Sequence, residues 1–210
     1  RAYRWSQCGS DLARGRGIDE PFDAHAKAFA PVALGAQLPE ARRTDGRLIA
    51  GQPRVVVDGG LEASPTPWWA TPMAVAVVVL VAAVGMSVRD QRRGRVCRVF
   101  DAVLFGAFGL TGCLLFFLVV ISTHEATSPN WLLVWLNPLC LVPVVFIWIK
   151  RAQRLVMWYQ IANFAVIIAL CAAWPLLRQS ANPAFWPLIA ADAVRAASYI
   201  TITRKTLRRR

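Results

Sequence analysis

A histidine beside a carboxylate, in a polar loop between two long apolar runs, is the first place in this 210-residue chain to look for chemistry. His124 and Glu125 hold that place, within the passage from Ser122 to Pro138. Imidazole titrates near neutrality and serves as a general acid or base. Side chains adjacent in sequence seldom form one working pair, so His124 and Glu125 are separate catalytic candidates rather than a dyad. Asn130 opens the next apolar run, and Asn137 precedes Pro138, where an amide can line a kink in a helix. Both asparagines are candidate substrate-binding groups, although capping and a helix break also explain them without function.

Asp192 and Arg195 are the deepest charges of the last apolar run. Their i, i+3 spacing predicts that they neutralise each other. The functional alternative makes both substrate-binding, with the Arg195 guanidinium holding a phosphate or carboxylate head group. His25, with Asp23 two positions before it, reads as a solvated histidine. Cys8 has no local base to lower its pKa and reads as a packing residue. The five cysteines show no paired spacing, and no metal-ligand pattern, phosphate loop or Ser–His–acid set is visible. No cofactor and no metal are expected.

These residues must be positioned by the apolar runs. The chain is 56% hydrophobic, with a mean hydropathy of +0.43 and a formal net charge of +12. Five runs approach the ~20 residues that cross a ~30 Å hydrocarbon core: Thr71–Val88, Phe100–Ile121, Trp131–Ile149, Val156–Leu177 and Phe185–Thr203. The alternating polarity of a membrane β-barrel is absent, so the expected fold is an all-α polytopic membrane protein with five transmembrane helices. Gly106, Gly109 and Gly112 make one face of the second run small, for packing within the bundle in preference to homodimerisation. Pro138, Pro143, Pro175 and Pro187 are expected to kink their spans.

Charge predicts the orientation. Arg89, Arg92, Arg93, Arg95 and Arg98 follow the first run, and Lys150, Arg151 and Arg154 follow the third. Five more basic residues close the chain after Thr203, whereas the two opposite loops hold only Arg178. Thirteen against one predicts that the first-named side is cytoplasmic, so the C-terminus lies inside and the N-terminal segment outside. Trp131, Trp174 and Trp186 fall at the outer boundary, and Trp148 and Trp158 at the inner one. Basic residues at the ends of apolar runs also argue for membrane topology and against a nucleic-acid partner.

Residues 1–68 differ in kind, with nine Lys/Arg against eight Asp/Glu. An Ala-rich stretch at 24–34 predicts a short helix ended by Pro31, and Thr44–Arg47 a turn. Leu48–Ile49 and Val55–Val57 read as a hairpin or a pair of extended edges. So few large apolar side chains bury little core alone. Residues 1–68 are therefore read as the small irregular remnant of an outer domain plus a linker, and 69–210 as the membrane domain. A chain opening on Arg1 without a signal peptide is expected to be the C-terminal part of a longer protein.

Several passages carry a family resemblance. Trp5, Gly9, Leu12, Gly15, Ile18-Asp19 and Pro21 follow one of its stretches, with Ser10 and Arg14 departing from its apolar positions. Phe29-Ala30-Pro31 and Asp45-Gly46-Arg47-Leu48 follow another, and Asn182-Pro183-Ala184 also fits. The most specific passage is His124 followed by Asn130 through Leu139, ending in Asn137-Pro138-Leu139. The chain resembles the C-terminal half of the Lnb-type proteins. The resemblance implies a bacterial inner-membrane protein with a periplasmic segment and a helical membrane tail. It also implies lipoprotein N-acylation, moving an acyl chain from phospholipid to a lipoprotein N-terminus, so phospholipid and membrane lipoproteins are the implied partners. The implied cysteine nucleophile is expected upstream, and Cys8 is not its match. On this reading the chain is the membrane half of an acyltransferase. The alternative is a non-catalytic anchor or scaffold of an envelope complex. A transporter ranks third, because no internal repeat is present.

Overall fold

The computed structural model describes residues 4–15, 38–51, 54, 67–122 and 125–208. The expected helix at 24–34, residues Val55–Val57, His25 and His124 lie outside them. Of Glu125, only the backbone is described, in the short turn Glu125–Thr127. The chain divides into two compact units, residues 20–64 and residues 1–19 with 65–210.

Within the smaller unit, the Thr44–Arg47 turn forms as its sequence predicts. The Asp45 carboxylate accepts from the Arg47 N–H at 3.0 Å, and Gly46 takes a φ of +82° that favours glycine. The turn closes a single antiparallel bridge between Arg42 and Leu48. No β-strand is present among the described residues.

The larger unit is helical. Helix α1 is Arg4–Ala13, α2 is Pro72–Arg93 and α3 is Arg98–Phe116, which runs on as a wider π-turn over Phe117–Ile121. Two short helices follow, α4 at Leu132–Trp135 and α5 at Leu141–Phe146. Then come α6 at Gln153–Leu177 and α7 at Phe185–Arg208. The start of α2 shows how sequence sets a boundary. Pro72 needs no N–H partner in the first turn, and the Thr71 hydroxyl accepts from the Ala74 N–H at 3.2 Å.

Burial is inverted relative to a water-soluble protein. Val77, Val78, Val81, Val103, Leu110, Val120 and Ile168 face outward. Asp90, Asp101, Gln160, Asn163, Asp192 and Arg195 are buried. Hydrocarbon solvates the first group and penalises the second, so this is the arrangement lipid requires. Helices α2, α3 with its π-turn, and α6 with its preceding turn are long and apolar enough to cross a membrane. The long α7, which contains Asp192 and Arg195, is not among those three.

The third expected span is not one helix but two short ones. Backbone at Leu136 and Asn137 is extended, and Pro138 starts a fresh turn. Sequence predicted a proline kink; the structure has a full interruption, because Asn137 supplies the bonds that the helix gives up. Its amide donates to the Val134 and Trp135 carbonyls at 3.0 and 3.3 Å, and its Oδ1 accepts from the Leu139 N–H at 3.0 Å. Irregular backbone inside an apolar bundle is stable only when satisfied in this way.

The glycine face of α3 packs against this break. A Cβ on Gly112 would lie 2.6 Å from the Asn137 backbone, and one on Gly109 would meet Leu141 at the same distance. The small-residue stripe is therefore used inside the chain. On the other side, α7 packs along α2 and α6. Phe105, Phe108, Leu115, Leu132, Trp135, Ile167 and Phe185 are among the buried residues of the apolar core.

Candidate functional site

Two polar clusters lie within the helical unit. The first is centred on Arg195, fully buried on α7. Ten residues at 1.5 Å place it about 15 Å along the helix from Phe185. Its Nε donates to Asp101 Oδ1 at 2.6 Å, Nη1 to Ser87 Oγ at 3.0 Å and Nη2 to Asp90 Oδ2 at 2.8 Å. The guanidinium also stands 5.4 Å from the centre of the Phe100 ring. Asp90 is held a second time, by the Cys97 N–H at 2.9 Å.

The predicted Asp192–Arg195 pair does not form: among the described residues Arg195 pairs only with Asp90 and Asp101. The i, i+3 relation brings side chains to one face, but the planar fork of arginine turns towards two carboxylates on α2 and α3. Asp192 instead accepts from Asn163 Nδ2 at 2.7 Å and from Trp135 Nε1 at 3.1 Å. Trp135 is in turn clamped edge-on by Phe108, with ring centres 5.4 Å apart. Asp192 thereby ties α6, α7 and the short α4 together, beside the break.

The second cluster lies at the end of the bundle that carries the 122–131 and 178–184 loops. Asn130 Oδ1 accepts from the Leu132 N–H at 3.0 Å, starting α4, and from Gln179 Nε2 at 2.9 Å. Its Nδ2 donates to the Leu12 carbonyl at 2.8 Å. Gln179 accepts from the Trp131 N–H at 2.8 Å and donates to the Arg14 carbonyl at 3.3 Å. Asn182 donates to Asp11 at 2.8 Å, and the Gly15 N–H to the Ala126 carbonyl at 2.9 Å. At the other end of α1, Trp5 Nε1 donates to the Ala70 carbonyl at 2.7 Å. Helix α1 is thus laced across this end of the bundle. Gly15 permits it, since a Cβ there would stand 2.6 Å from the Thr127–Ser128 backbone. Beside Asn130 is a cavity of about 250 Å³, lined by Val119, Pro129, Trp131, Leu133 and Val134 among others.

Of the four residues expected to bind substrate, Asp192 and Arg195 are fully enclosed, while Asn130 and Asn137 bond to backbone on both sides. Sequence reasoning missed Asp90 and Ser87 as partners of Arg195, because Asp90 sits in an arginine-rich stretch and looks like a topology residue. It also missed Gln160, Asn163 and Gln179, and named Asn182 only as part of the resemblance. The i, i+3 pair of amides at Gln160 and Asn163, inside an apolar run, is the signal that marks a polar interior face. Cys8, on α1, has its thiol pKa raised by burial and then by the Asp11 carboxylate, which is the opposite of an activated nucleophile.

Outward-facing apolar helices around buried charges define a polytopic helical membrane protein. Within that class the chain belongs to a particular family: the Lnb transmembrane domain matches residues 64–207. No curated protein and no solved structure matches the chain.

Proposed function

We propose that this chain is the membrane half of an envelope enzyme that N-acylates lipoproteins, taking the acyl chain from a phospholipid. Five spans, an outer N-terminus and a cytoplasmic C-terminus belong to the same reading, with α4, α5 and the intervening turn together serving as the third span. The observation that carries it is the apolar cavity of about 250 Å³ beside Asn130, at the end of the bundle where α1 is laced down. A phospholipid keeps its ester at the interface and its chains in hydrocarbon. A cavity with apolar walls and a polar rim at that depth suits one acyl chain leaving its ester near Ser128 and Asn130. Asn130 is the substrate-side residue of this reading; Asn137, Asp192 and Arg195 hold the helices that shape the cavity.

The competing reading is a non-catalytic anchor, favoured by the full engagement of Asn130 and Gln179 in docking α1. One experiment separates them. Full-length protein is restored to cells lacking lipoprotein N-acylation, carrying either His124→Ala or the cavity-filling Val134→Trp, and lipoprotein acylation is read by mass spectrometry. Loss of acylation at normal protein level is expected for both variants. Undiminished acylation in both would leave the anchor.

A further inference from the structure

The end of the bundle opposite α1 holds a second and larger cavity, of about 500 Å³. Its wall is built by the last turn of α2, the turn into α3, Lys150 and the last turns of α7. Five cations line it: Arg89, Arg93, Arg95, Arg98 and Lys150. One carboxylate, Asp90, also reaches it. That carboxylate is already committed, to Arg195 at 2.8 Å and to the Cys97 N–H at 2.9 Å. None of the five cations makes an ion pair with a described residue. A rule of topology asks only that basic residues lie on one side; it does not ask that they share the wall of a cavity. Cations gathered around a concave, partly apolar space repel one another and raise the local concentration of anions.

We propose that this cavity binds the phosphate-bearing head group of an anionic phospholipid. The choice of a lipid over free phosphate rests on what surrounds the cations. Val96, Ile147 and Ile202 form apolar parts of the cavity, with Tyr199 and Thr203 supplying hydroxyls. Next in sequence to Arg89, Arg98 and Lys150 stand Val88, Val99 and Ile149, all exposed. Trp148, two residues before Lys150, is exposed as well. A phosphodiester seated among the arginines leaves its acyl chains against these outward-facing side chains, so both halves of the lipid are matched. On the charge-based orientation this lipid belongs to the cytoplasmic leaflet. It is a site apart from the proposed acyl-transfer end.

The full chain, purified in detergent, tests this by native mass spectrometry and by thermal unfolding with added phosphatidylglycerol, phosphatidylcholine or inorganic phosphate. Phosphatidylglycerol is expected to be retained and to raise the unfolding temperature, with phosphatidylcholine and phosphate well behind. The double variant Arg93→Gln/Arg95→Gln is expected to weaken that retention about tenfold or more, at roughly one kcal/mol for each basic residue. Arg89→Gln/Lys150→Gln, on another part of the wall, is expected to do the same. Arg204→Gln/Arg208→Gln, an equal charge loss on the same helical end but off the cavity wall, is expected to leave retention intact. Equal loss in the off-cavity variant, or no preference for the anionic lipid, overturns the proposal. Saturation by inorganic phosphate with no added effect of lipid overturns the lipid assignment.

Discussion

Arg195 carries three side-chain hydrogen bonds and two ion pairs with no exposure to solvent. In lipid, a guanidinium without these partners would cost several kcal/mol, and so would the two carboxylates without it. The set therefore stands or falls together. Replacing the cation alone, as Arg195→Met, leaves Asp90 and Asp101 facing each other and is expected to destabilise the protein by about 3–5 kcal/mol. Thermal unfolding in detergent reads this as a large drop in midpoint. Arg195→Lys is expected to recover little, because one ammonium cannot reach along three directions as the planar fork does. Arg195 was visible in the sequence as a deep charge, but its partners were not. The i, i+3 rule chose Asp192, one turn away, whereas the bonds run to residues 94 and 105 positions distant. Local spacing says which side chains share a face; which neighbouring helix meets that face depends on how the bundle closes.

At the scale of elements, the interrupted span is the feature on which the packing turns. Asn137-Pro138 breaks the helix, Asn137 satisfies the exposed backbone, and Gly109 and Gly112 let α3 approach the broken chain. Gly112→Val puts carbon where the Asn137 backbone already lies, at an expected cost of ~1–3 kcal/mol and with loss of the close contact. The control is Gly85→Val on α2, where nothing stands within 4 Å of an added Cβ. Thermal unfolding of the two variants side by side checks the point: a matched loss would mean that glycine content, not the approach to the break, decides. Sequence predicted the small face of α3 from its three-residue spacing. It could not say that the face would meet extended backbone rather than another helix. Helix α1 shows the converse. Trp5, Cys8 and Leu12 recur at i, i+3 and i+7, and Cys8 and Leu12 pack on the core, but the last turn of Arg4–Ala13 and the residues after it are tied to two loops. Those bonds come from residues more than a hundred positions away, where no local pattern can announce them.

At the scale of the molecule, the two ends are chemically unlike. One end carries amides, α1 and a small apolar cavity; the other carries a large cavity walled by arginines. The orientation proposed from the charges puts the arginine end in the cytoplasm, where the membrane surface and potential both favour basic residues. A reporter enzyme fused after Arg210, active only in the cytoplasm, is expected to be active, and the same reporter inserted in the 178–184 loop is expected to be silent. The opposite result would invert the bundle and move the proposed lipid site to the outer leaflet.

Sequence alone determined the class of this protein and its family. Runs of apolar residues long enough for lipid, with basic clusters at alternate ends, fix a helical membrane protein because backbone in hydrocarbon must satisfy itself. The His124–Leu139 passage, by its residues alone, pointed to the family that matches residues 64–207. Tertiary structure decided the partners of each buried charge, the full break beside Asn137 and the lacing of α1. It also decided that five scattered basic residues share one cavity. In the apolar interior each polar group must find a partner or pay its desolvation cost. Which partner it finds is settled by how whole helices pack, and that is written in no short stretch of the chain.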